Sequence, residues 1–334
     1  MLWFFSRLNY NRLKEWVWTV FFITVVLLGL TLIAPSQKNV HRWLPLGPFT
    51  LQPSELAKYT SVLFLAYYLD RRHSKAASPI QGLLKPGAVV SLLLLLIAAE
   101  QDLGTPILIF SVAVLVIWVG GGKLWHLVGA GLLAMPVLAL AISGQHYRFE
   151  RVMHCLSRLR GGSDASYQLD QAILAVGSGG WLGKGFGASQ LKLGYLPTPH
   201  TDFIFPVVCE ELGLAGALAL MGLFAALLLR GLHVARTAPN LFGSLLAAGI
   251  TLTICLQAFI NACMSIGILP TKGMPMPFIS YGGSSLLMTL AAAGVLLNIS
   301  RQSSLHARYT AHGPPALAKD GPWPGAGNLL GRKP

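Results

Sequence analysis

Eight apolar stretches recur along the chain, at roughly 16–34, 51–69, 87–99, 105–119, 124–143, 204–229, 241–267 and 283–299. A run of ~20 apolar residues crosses the hydrocarbon layer as one α-helix. Each stretch therefore predicts a membrane span, the shorter ones completed by flanking residues or a locally thinned bilayer. Only Glu100-Gln101-Asp102-Leu103-Gly104 separates the third from the fourth. That spacing predicts a helical hairpin with a polar tip, and Thr105-Pro106 opens the second arm. The predicted fold class is all-α, a polytopic helical membrane domain over residues 1–302. The long loop 144–203 breaks the pattern, and loops of that length in compact proteins carry function or structure of their own. Within it, 167–176 has helical apolar spacing and predicts a re-entrant or surface helix. From about residue 303 Pro and Gly are frequent without periodicity, which predicts a disordered tail over 303–334.

Composition agrees with lipid as the solvent. Hydrophobic residues make up 54% and charged residues 11% of the 334, against the ~25% charged of soluble domains. Mean hydropathy is +0.60. A net charge of +13 on a polar chain would suggest nucleic acid; on a chain this apolar it sets topology instead. Of 25 Lys and Arg, 15 fall in the segments that share a side with the N-terminus. Only Lys38, Arg42 and Lys272 lie in the short loops opposite, and long translocated loops escape the count. Both termini are thus predicted cytoplasmic, with the long loop on the far side. Met1–Phe5 is apolar and is followed, not preceded, by Arg7 and Arg12, which is not the order of a cleavable signal. It reads as the last turn of a span whose start is missing. The cysteines show neither C-x-x-C nor metal-ligand spacing.

Several polar groups sit where polarity is costly. Lys58 lies inside the second span, in Gln52-Pro53-Ser54-Glu55-Leu56-Ala57-Lys58, and needs a counter-ion there. Asp202, at the mouth of the sixth span, and Glu55, one turn earlier, are the candidates. Glu210 and Glu211 lie about two turns deeper than Asp202. An Asp beside a Lys stays ionised and suits a general base or a cation ligand, whereas a purely structural pair is the plainer explanation. Gln257 and Asn261, one turn apart, either line a cavity or join helices by hydrogen bonds. The run 177–187 is glycine-rich and contains Lys184. It lacks the G-K-[ST] ending of a P-loop and is either a turn or a backbone cradle for an anion. The segment 269–285, with Pro270, Pro275 and Pro277, predicts irregular backbone, tolerated at membrane depth where it lines a cavity.

Taken together these strings resemble the SEDS family of bacterial cell-wall proteins (shape, elongation, division and sporulation), which includes FtsW, RodA and SpoVE. The resemblance is carried by Arg42-Trp43, the Gln52–Lys58 string, Asp102-Leu103-Gly104-Thr105 and Gly177 through Gly187. It continues through Tyr195-Leu196-Pro197, His200-Thr201-Asp202-Phe203-Ile204-Phe205, Glu210-Glu211-Leu212-Gly213, Gln257 through Asn261, and the 269–285 loop. The strings follow the family's order from the first residues to about Arg301. Pro270-Thr271-Lys272-Gly273 and the Pro-rich tail lean toward the division branch over the elongation branch. The family has ten spans, a glutamate after Leu-Pro where Thr198-Pro199 stands here, and Gln-Pro-Asp-Leu-Gly where this chain has Gln101-Asp102-Leu103-Gly104.

The resemblance implies a glycosyltransferase that polymerises lipid II, the undecaprenyl-pyrophosphate-linked disaccharide pentapeptide, on the extracytoplasmic face of the bacterial cytoplasmic membrane. By matching position Asp202 is the catalytic aspartate and Lys58 its partner. Arg42, Glu55, His200, Gln257, Asn261, Lys272, Ser280 and Ser284 become substrate contacts, with Arg148, Arg151 and Lys184 as candidates for the pyrophosphate. A class B penicillin-binding protein and other division or elongation membrane proteins are the implied partners. No cofactor is required by the resemblance, although a divalent cation, Mg2+ or Mn2+, would suit a pyrophosphate leaving group. Two other classes use the same features: a flippase for lipid II or another lipid-linked substrate, and a scaffold without chemistry. A flippase should place polar groups along both leaflets, whereas those here gather toward one end.

Overall fold

The computed structural model describes residues 1–34, 42–46, 49–144, 149–150, 152–153, 155, 157, 167–189, 202–270 and 273–312. A short helix α1 (Leu2–Arg7) leads into α2 (Leu13–Ile33), followed by the strands β1 (Leu44–Leu46) and β2 (Phe49–Leu51). Next come α3 (Pro53–Arg71), α4 (Lys85–Ala99), α5 (Gly104–Val119) and α6 (Leu124–Ser143). The last helices are α7 (Tyr167–Ser178), α8 (Ile204–Thr237), α9 (Leu241–Ser265) and α10 (Gly283–His312).

All eight predicted spans are helices, and the predicted loop helix is α7. Among the described residues, five helical segments are both long and apolar enough to cross a membrane on those grounds alone: 10–33, 79–99, 204–237, 241–265 and 283–305. α3 is absent from that set for a physical reason. Its buried face includes Ser54, Glu55, Lys58, Thr60 and Ser61, so it is a polar helix enclosed by protein rather than one facing lipid. α5, at 16 residues, falls short in length. Residues 303–312, expected to belong to a disordered tail, continue α10 to His312; the rest of that expected tail, 313–334, lies outside the described residues.

Local sequence sets the helix starts. Pro53 occupies the first turn of α3, where its missing N–H and fixed φ cost nothing. Asn240 caps α9 by accepting from the Gly243 N–H at 2.8 Å. The β1–β2 hairpin, with Leu44 opposite Leu51 and Leu46 opposite Phe49, delivers the chain directly to the start of α3. α9 is the hub, packed against α3, α5, α8 and α10. It comes close to α3 at Gly249, where a Cβ would lie 2.3 Å from Val62, the small-residue contact that brings two membrane helices together. Leu95, Leu133, Leu218 and Leu223 point outward, as lipid-facing residues do.

α8 is not straight. Its 34 residues would extend ~51 Å, well beyond the ~30 Å hydrocarbon thickness. Gly213, with φ 66° and ψ −166°, breaks the helix. An L-residue avoids that region of backbone space.

Candidate functional site

The site lies where the start of α3, the end of α9 and the start of α8 converge. Lys58 is 2% exposed, and its Nζ is 2.7 Å from Glu55 Oε2. The same ammonium donates to Gln257 Oε1 on α9 at 2.6 Å. Of the two counter-ions the sequence allowed, Glu55 on the same helix face is the one in contact. An ammonium has three donors; Gln257 accepts from one of them, and Glu55 pairs with the charge. Gln257 passes the link onward, its Nε2 donating to the Pro275 carbonyl at 2.7 Å.

One turn along α9, Asn261 Nδ2 donates to the main-chain carbonyls of Met274 at 2.7 Å and of Asp202 at 3.0 Å. Gln257 and Asn261 thus do both things the sequence allowed. They are interhelical hydrogen bonders, and their partners are the two segments that hold the site. Asp202 is fixed from its other side by Phe203, which is buried against Ala172 and Ala175 of α7 and Val207 of α8. Its carboxylate packs on Gly273, where a Cβ would stand 2.8 Å from Asp202 Oδ2. Lys58 and Asp202 are therefore connected through α9 and the 273–275 segment.

The remaining predicted residues divide. Ser280 is buried and its Oγ accepts from the Met276 N–H at 2.7 Å, closing the irregular segment on itself. Ser284 is buried, and its Oγ has no hydrogen-bond partner among the described residues. Arg148, Arg151, His200 and Lys272 lie outside the described residues.

Two of the predicted residues have partners within the protein. Arg42, expected to bind substrate, donates to the carbonyls of Gln101 at 2.7 Å and Glu100 at 3.4 Å. The positive φ of Gln101 turns the hairpin tip so that adjacent carbonyls face one guanidinium. Lys184, expected at a pyrophosphate, pairs with Glu210 Oε1 at 2.9 Å. Ser189 Oγ donates to the other oxygen, Oε2, at 2.7 Å. In this structure the glycine-rich run clasps the broken helix. The amides of Lys184 and Gly185 bind the carbonyls of Glu210 and Glu211, while Leu214 and Ala215 donate to the carbonyls of Gly180 and Trp181. The break at Gly213 strands these groups, and the loop supplies their partners.

Glu100 escaped the sequence reading. It is fully buried at the hairpin tip, accepts a hydrogen bond from Thr31 and leaves Oε2 unpartnered. Burial pushes its pKa up to about 7, against the lowering effect of Thr31. The adjacent Asp102 instead accepts from the Gly104 and Thr105 amides and the Thr105 hydroxyl, capping α5. Among the described residues no three His, Cys, Asp or Glu side chains come together as a metal site would need.

A bundle of membrane helices enclosing a charged, hydrogen-bonded network next to a fixed carboxylate defines an integral membrane protein with a buried polar site. The chain belongs to the FtsW/RodA/SpoVE family of cell cycle proteins, whose family model matches residues 1–305. Similar sequences include the probable peptidoglycan glycosyltransferases FtsW of Geobacter sulfurreducens (strain DL-1 / KN400) and Alkalilimnicola ehrlichii. Each is 38% identical, covering 88% and 86% of this chain and 80% and 72% of the respective relative. Among solved structures, a chain of a peptidoglycan synthase complex that coordinates polymerization and crosslinking matches with TM-score 0.73 and 26% identity, covering 90% of this chain and 85% of that one. The rod shape determining protein RodA of Thermus thermophilus matches with TM-score 0.66 and 27% identity, covering 90% and 83%.

Proposed function

We propose that this chain is a peptidoglycan glycosyltransferase of the FtsW type that polymerises lipid II, with Asp202 as the base. The observation that carries the chemistry is the placement of Asp202. Its main chain is held by Asn261, its neighbour Phe203 is buried, and its carboxylate is packed on Gly273. A base in acyl or glycosyl transfer needs that fixity before it needs a tuned pKa. Asp202 takes the proton from the sugar 4-hydroxyl of incoming lipid II. That oxygen attacks the anomeric carbon of the growing strand, the bond to the lipid pyrophosphate breaks, and the configuration inverts. Lys58, held between Glu55 and Gln257, supplies positive charge to the developing oxyanion. The donor sugar arrives activated by its pyrophosphate, so no nucleotide site is needed.

The basic-residue asymmetry supports cytoplasmic termini and an extracytoplasmic site. The partner supplying cross-linking is a class B penicillin-binding protein, a reading supported by the likeness to a synthase-complex chain.

The test is glycan polymerisation from purified lipid II with that partner present. Asp202→Asn should abolish product while the protein stays folded. Lys58→Met alone leaves Glu55 buried without its counter-ion and should cost about 3–5 kcal/mol. The double change Glu55→Gln with Lys58→Met removes both charges, so it should fold yet remain inactive. Polymerisation by folded Asp202→Asn protein removes this residue from the mechanism.

A further inference from the structure

The loop that clasps the break in α8 exposes three large apolar side chains: Trp181 at 76%, Leu182 at 85% and Phe186 at 90%. A loop in water has no reason to present them together, and ordinary surface loops carry polar residues there. Several of the segment's polar groups are engaged within the protein. The amides of Gly183, Lys184 and Gly185 and the carbonyls of Gly179, Gly180 and Trp181 are all hydrogen-bonded within the loop or to α8. Its charge is matched by Glu210. Peptide groups paired within the protein and a lysine matched by a buried glutamate suit a lipid boundary, where unpaired polar groups are costly.

The loop is also continuous with a lipid-facing surface. Leu214 and Ala215, which donate to the loop's carbonyls, belong to the stretch of α8 whose Leu212, Leu214 and Leu218 point outward. Trp181 extends that surface with the residue type that settles at the boundary of headgroups and acyl chains.

We propose that Trp181, Leu182 and Phe186 insert into the lipid leaflet at the Asp202 end of the bundle and make this loop a membrane anchor. Through its hydrogen bonds to residues 210–215 the anchor fixes the depth of the first turns of α8, and with them the depth of Asp202. The occupant of the surface is lipid, not a protein partner. The inference requires only that α8 spans the membrane and is independent of the reaction assigned to Asp202.

The test uses the whole protein in nanodiscs of phosphatidylethanolamine and phosphatidylglycerol. Nitroxide labels are placed at Leu182→Cys and Phe186→Cys, the native cysteines being buried. Leu218→Cys serves as the lipid-facing control and Ser74→Cys, exposed between α3 and α4, as the water-facing one. Relaxation enhancement by oxygen should exceed that by a water-soluble nickel chelate several-fold at 182 and 186, as at 218. Chelate exceeding oxygen at both loop positions overturns the proposal. Shielding from both reagents overturns it too, since protein would then cover the patch. Hydroxyl-radical footprinting of the unlabelled protein gives the same answer without substitutions: Trp181 and Phe186 protected in nanodiscs supports insertion, and ready oxidation contradicts it.

Discussion

Replacing Gly273 by alanine separates the geometry of Asp202 from the stability of the fold. The added Cβ would stand 2.8 Å from Asp202 Oδ2 and 3.4 Å from Cγ. Non-bonded heavy atoms settle near 3.5–4.0 Å, so the carboxylate must retreat by roughly 0.7 Å or turn about χ1 or χ2. The contact is with the end of a side chain, which yields easily. An off-rotamer side chain costs about 0.5–1.5 kcal/mol, and the three atoms nearest the Cβ all belong to the Asp202 side chain. The effect on chemistry is larger, because a misplacement on the order of 1 Å at a reacting group lowers rates by about 10²-fold. Gly273→Ala should therefore lose most glycan polymerisation from lipid II with the melting temperature nearly unchanged. Lipid II binding should be less affected than turnover, because Lys58 and its partners are untouched. Wild-type turnover in the alanine variant would refute the assignment of Asp202 as the base held at this position.

Gly213→Ala should act on the fold instead. Its φ of 66° excludes a side chain, and a Cβ would lie 2.4 Å from the backbone nitrogen of Gly183; strain and overlap together cost about 3 kcal/mol or more, read as a lowered melting temperature. Glu100 makes stability depend on pH. Its folded value of about 7 exceeds the ordinary 4.5, so the folded state holds a proton the unfolded state has released, and stability falls as pH rises between those values. The loss above neutral pH is on the order of 3 kcal/mol. Glu100→Gln keeps an acceptor for Thr31 and should flatten the decline in melting temperature between about pH 5 and pH 8; an unchanged profile would remove Glu100 as its source.

The spans were legible in the sequence because hydrocarbon imposes one rule on every residue that crosses it. The same rule made α3 legible as an exception: a lysine and a glutamate three residues apart in an otherwise spanning helix must be paired and enclosed, and Lys58 and Glu55 are both 2% exposed. Pairings between distant segments were not legible. Lys184 in a glycine-rich loop looks the same in sequence whether it meets a phosphate or Glu210, because the choice depends on where α8 breaks. Gly213, following Glu210-Glu211-Leu212, was the available signal for that break, since a glycine in mid-helix marks a place where the helix can end. Gly273 beside Asp202 had no signal at all, as the contact joins residues 71 positions apart.

The buried ion pair is not explained by stability. Enclosing two charges costs about as much as their attraction returns, and apolar residues of similar volume often serve as well. What the pair does supply is an ammonium at one fixed point, from which Gln257 reaches Pro275. Asn261, one turn away, binds Met274 and Asp202. Both amides hold the same irregular segment, and Gly273 at its edge sets where the carboxylate rests. An apolar substitute for Lys58 and Glu55 would preserve the bundle and sever that register. Loss of turnover with an intact fold in the double variant is the outcome that distinguishes a network built for position from one built for stability.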